Sequence, residues 1–178
     1  MEEKNVVERN GGEIDMCEEK NVEGFGVERV GGEKMEGKIK FVRAGLDVEE
    51  KTIEEILEVI KEYGTNTGGF QLIEEKEIPK YVVITRSSRP GPSYDSKSED
   101  VLITDGELQF LSEKHVYNYP TLNGHYYKYK VSNATFVLLL QWYGNDYDGA
   151  WQEWTTLVVH GNCSFIGKIK ELQEELNI

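Results

Sequence analysis

Cysteine is scarce in this chain: Cys17 and Cys163 are the two in 178 residues, at opposite ends and in no metal-ligand spacing. That excludes a disulfide scaffold and a thiolate metal site, and reads instead as two thiols in a reducing, cytoplasmic setting. Histidine is equally sparse. His115, His125 and His160 form no His-x3-His or His-Glu-x2-His pattern, so neither a metal nor another cofactor is expected. Long apolar runs are missing, the longest being 136–140, too short to span a bilayer. The opening Met1-Glu2-Glu3-Lys4-Asn5 has neither the basic nor the apolar region of a signal peptide. Cations are outnumbered, with 20 Lys plus Arg against 33 Asp plus Glu and a formal charge of -13. A field of that sign repels phosphate backbones and anionic lipid, so neither direct nucleic-acid binding nor membrane association is expected. It favours a protein partner with a basic surface. The Gly-x4-Gly-Lys-Ser/Thr phosphate loop and the Gly-x-Ser-x-Gly elbow are absent as well.

What is present is a chain with 38% hydrophobic and 11% aromatic residues, enough for a packed core. Residues 1–37 stand apart. Glu2-Glu3-Lys4-Asn5-Val6 returns as Glu18-Glu19-Lys20-Asn21-Val22, and Gly11-Gly12-Glu13 as Gly31-Gly32-Glu33. This stretch reads as an acidic extension with an imperfect duplication, open to pairing as two β-hairpins around Asn10-Gly11 and Gly31-Gly32. Residues 38–178 read as one α+β domain.

A strand is expected at 38–43. A helix follows at about 48–63, capped by Asp47 with Glu50 three residues on. Ile53, Ile56, Leu57, Ile60 and Tyr63 form its apolar stripe, and Gly64 ends it. The Tyr-Val-Val-Ile run at 81–84 predicts a fully buried strand. Pro90-Gly91-Pro92 centres a long loop over 86–100. Three hairpins are then expected: 101–104 with 107–111 around Asp105-Gly106, 115–119 with 125–131 through Asn123-Gly124, and 135–143 with 151–160 through 144–150. A last helix at 164–177 carries Phe165, Ile169, Leu172 and Leu176 inward. Helices at the ends with hairpins between them predict a mostly antiparallel sheet with both helices on one face.

The most unusual stretch is Trp142-Tyr143-Gly144-Asn145-Asp146-Tyr147-Asp148-Gly149-Ala150-Trp151-Gln152-Glu153-Trp154, with three tryptophans, two tyrosines and three acids in thirteen positions. Its centre resembles a calcium loop in part, but Gly144 and Thr155 occupy the first and twelfth ligand positions, so no metal is expected. Rings beside carboxylates suit a cationic or Lys/Arg-rich surface. Trp142, Tyr143, Asp146, Tyr147, Asp148, Trp151 and Glu153 are therefore the candidate binding residues, joined by Arg86 and Arg89 as a local basic spot. No catalytic residue is nominated. The leading expectation is a non-enzymatic acidic binding protein that occupies a surface of another macromolecule, as a small inhibitor or accessory factor does, viral and mobile-element ones included. The alternatives are a small hydrolase-like enzyme with a site between 86–100 and 144–150, and a self-assembling structural protein. Convergence of His125 or His160 on a buried carboxylate would favour the enzyme.

Overall fold

The computed structural model describes residues 38–90, 95–118, 122–147 and 149–177. Residues 1–37 lie outside them, and with them Cys17 and the expectation of paired hairpins in an acidic extension. In chain order the elements are β1 (Ile39–Arg43), β2 (Glu49–Lys51), α1 (Ile53–Thr67), β3 (Gln71–Glu75), β4 (Tyr81–Arg89) and β5 (Ser96–Thr104). They continue with β6 (Glu107–Asn118), β7 (Leu122–Ser132), β8 (Phe136–Tyr147), β9 (Ala150–Gly161) and α2 (Ile166–Asn177). The fold is α+β, and its one sheet is antiparallel except where β3 runs parallel to β9.

The sheet forks along β5. One edge of β5 pairs with β8 throughout. The other edge is shared: residues 96–99 pair with β4, and 101–104 pair with β1. Asp100 sits at the split, 9% exposed, where its carboxylate accepts the Thr85 amide (2.9 Å) and the Thr85 hydroxyl (3.1 Å). Beyond the fork the strands form two layers. In the upper layer β1, β5, β8 and β9 turn Phe41, Val101, Ile103, Leu138, Leu140, Leu157 and Val159 towards the helices, against Ile56, Ile60, Phe165 and Ile169. Their alternate residues Val42, Leu102 and Val137 point down onto Val82, Ile84, Tyr127, Tyr129 and Val131 of β4 and β7. The period-two alternation of β strands thus feeds two cores from the same segments.

Several local expectations are corrected. Asp47 does not cap α1, because Glu49–Lys51 extend the sheet beside β1. The same Thr/Asp-x-x-Glu chemistry acts further on: Thr52 Oγ1 accepts the Glu55 amide at 3.2 Å, and Glu55 accepts the Thr52 amide at 2.9 Å. Those bonds hold the Glu55 carboxyl below the usual glutamate range. Gly64 does not end the helix. It lies within it, where a Cβ would come within 2.6 Å of Leu176 on α2. The left-handed terminus is Gly68, φ 79°. The 81–84 run is half-buried, with Val82 and Ile84 inside and Tyr81 and Val83 each 50% exposed.

The 101–104 and 107–111 segments turn at Asp105-Gly106 but do not pair. β5 stays in the upper layer, while β6 pairs with β7 in the lower one. The β6–β7 register pairs Asn118 with Leu122, so Asn123-Gly124 lies inside β7 instead of turning the hairpin. Much of 86–100 is strand, not loop. The 135–143 with 151–160 hairpin is present and longer than expected, with pairing out to Tyr147 and Ala150.

Candidate functional site

Where β4, β5, β7 and β8 run together below the fork, their registers set side chains in rows. Residues paired across adjacent strands share a face. One row on the helix-side face is Thr155, Trp142, Glu99, Arg86, His125 and His115; the next is Glu153, Gly144, Lys97, Ser88, Asn123 and Tyr117. The rows border an open groove of about 430 Å³, with Trp142 forming one wall.

The candidate binding residues divide between the faces of this region. Trp142, half-buried, donates its indole N–H to Glu153 Oε1 at 3.0 Å. Gly144 makes room for it: a Cβ there would lie 2.7 Å from Trp151 and 3.1 Å from Trp142. The two indoles therefore close over a glycine. Lys97, paired with Gly144, holds its ammonium 5.9 Å from the Trp151 ring centre. Asp146 pairs with Trp151 on the same face, and its Oδ1 is buried without a hydrogen bond. Tyr143 is on the opposite face, with its ring centre 4.6 Å from that of Trp154. Trp151 and Trp154 are 45% and 43% exposed. Tyr147 pairs with Ala150 through its backbone; its side chain, like Asp148, lies outside the described residues.

Arg86 and Arg89 are strand residues rather than parts of a long loop. Arg86 enters the groove between Glu99 and His125, while Arg89 alternates to the other face beside Ser96. Sequence reasoning did not nominate Lys97, Glu99, Ser88, Asn123 or His115 for binding, and weighed His125 only for the enzyme alternative. The histidines were within reach of it: a hairpin centred on residue 120 puts 115 opposite 125. Their rings stack 4.2 Å apart and 5° from parallel. His115 Nε2 and Asn123 Oδ1 are 2.7 Å apart, and His125 Nδ1 lies 3.8 Å from a half-exposed Glu113 carboxylate. Glu99 accepts a hydrogen bond from the Tyr63 hydroxyl at 3.2 Å, and Arg43 donates to that same oxygen. Burial first, and then the Glu99 charge, push the Tyr63 phenol up to about 12, so it remains a donor.

Neither His125 nor His160 meets a buried carboxylate. His160 lies on the far part of β9, where Nδ1 contacts the Glu77 carbonyl at 3.2 Å. Among the described residues no group of three or more His, Cys, Asp and Glu side chains is arranged to hold a metal. Cys163 is a buried core thiol. No described helix is long and apolar enough to cross a membrane. Comparison with protein-family models, curated proteins and solved structures found no match.

Proposed function

We propose that this chain is a non-enzymatic binding protein, a small inhibitor or accessory factor, that grips a basic surface of another protein through the tip of the β8–β9 hairpin. One observation carries the reading: two indoles, Trp151 and Trp154, stand more than two-fifths exposed on opposite faces of a regularly paired hairpin. Tryptophan is among the residues that dominate interface energetics, and two rings this open offer anchors for a partner. Burying the exposed part of one indole contributes on the order of 2 kcal/mol. The neighbouring carboxylates supply charge. Glu153 is oriented by the Trp142 indole, and the -13 net charge steers a cationic partner towards the chain.

The test is affinity capture from the native host with the full chain as bait, followed by measurement of the retained protein's affinity for Trp151→Ala and Trp154→Ala. The expected outcome is at least a tenfold weakening for one or both, with melting temperatures within a few degrees of the parent. Unchanged affinity of both folded variants for that protein overturns the reading.

A further inference from the structure

We propose that the groove across β7, β4 and β5 is a separate site for an oxyanion, a carboxylate or phosphate group on a small ligand or on the ligand's end. On this acidic chain, donors are gathered in one place. Arg86, Ser88, Lys97, Asn123 and His125 all line the groove, and they belong to adjoining positions of the same two rows. Among the described residues no carboxylate is within ion-pair distance of Arg86 or Lys97, although acids outnumber bases in the chain. An arginine and a lysine that form no ion pair in a concave surface suit a ligand that brings negative charge.

The site is also braced. Gly45, φ +90°, bends the β1–β2 connection close over β4, so that the Arg86 guanidinium carbon lies 3.7 Å from where its Cβ would be. His115 stacks on His125 and holds its plane, and Asn123 Oδ1 is engaged with His115, which leaves the Asn123 amide N–H groups as donors. The acid that lines the groove, Glu99, is tied to the Tyr63 hydroxyl, with Arg43 bound to the same oxygen. Of the charged side chains that line the groove, Arg86 and Lys97 outnumber Glu99, so its lining carries a net positive charge at neutral pH. It gives a direction opposite to that of the hairpin tip, and it stands whether or not the tip engages a partner.

The experiment is a titration of the isotope-labelled full chain with sodium phosphate and, separately, sodium acetate, each matched against sodium chloride at constant ionic strength and pH. The signals followed are the Trp142 indole N–H and the His115 and His125 ring protons. The inference expects saturable shifts with phosphate or acetate beyond those with chloride, and the stronger of the two names the ligand chemistry. Arg86→Gln weakens that response at least tenfold, and Lys97→Gln weakens it in the same direction should the first variant lose its fold. Arg89→Gln, on the other face of β4, leaves it unchanged. Absence of saturation with both anions, or equal weakening by Arg89→Gln, overturns the site.

Discussion

The carboxyl at the fork has an environment that works against its charge. Asp100 is raised from the ordinary aspartate value of 3.8, first by burial, and the two Thr85 hydrogen bonds only partly offset that. Asp105 is raised for the same leading reason, although it accepts the Thr135 amide at 2.9 Å and the Phe136 amide at 3.3 Å. A group that holds its proton more tightly when folded contributes stability in acid. That contribution declines as pH rises from 3.8 through the raised folded value, and it is level above. Asparagine at 100 keeps an acceptor for both Thr85 donors without the buried charge. Asp100→Asn is therefore expected to be at least as stable as the parent at pH 7, and to gain less on going to pH 4 to 5. Urea midpoints at those pH values check the sign, and a parent more stable than the variant at pH 7 contradicts it.

At the scale of elements, what the sequence disclosed depended on how local the deciding interaction is. The α1 stripe of Ile53, Ile56, Leu57, Ile60 and Tyr63 was legible because helical spacing is written in neighbouring residues, and all five pack on the upper core. The end of that helix was not, because Gly64 is set by a distant chain: it is small to admit Leu176, and the stop comes at Gly68. Gly64→Ala gains helix propensity but drives a methyl into Leu176 and Phe70. A net loss of about 1–3 kcal/mol follows, as for other overpacked contacts. Denaturant unfolding measures it, and a more stable variant would show that α2 yields at no cost.

Residues 86–89 and 96–99 were read as loop for a related reason. Arg-Ser-Ser-Arg and Ser-Lys-Ser-Glu carry no apolar alternation, and their strand character comes from backbone pairing with each other and with β7 and β8. The groove was hidden by that same misreading. The aromatic-acidic tip was visible as composition, while Gly144's part in seating both indoles needed the third dimension.

Across the whole molecule, the two cores are not independent. β1, β5 and β8 send alternate residues into each, so neither can melt while those strands stay ordered. Leu102 and Ile103, adjacent and both fully buried, belong to different cores. Leu102→Ala and Ile103→Ala are each expected to cost about 2–5 kcal/mol. Each should shift one shared unfolding transition, so that circular dichroism and tryptophan fluorescence coincide. Two separated transitions in either variant would mean that the layers unfold apart. The distant pairings that build this arrangement also explain why Asp105-Gly106 misled. The turn signal is real, but Asp105 binds Thr135 and Phe136 at the start of the neighbouring β8 instead of closing a hairpin.

The fork makes chain length at one point as constrained as any side chain. On β5 the parity of a residue's number decides its destination: odd positions 101 and 103 go up to the helices, and even position 102 goes down. Deleting one residue between Ser98 and Asp100 would invert that parity for a strand hydrogen-bonded on both edges, exchanging the contents of two compartments together. Evolution can therefore vary what this segment carries far more freely than how many residues it spans.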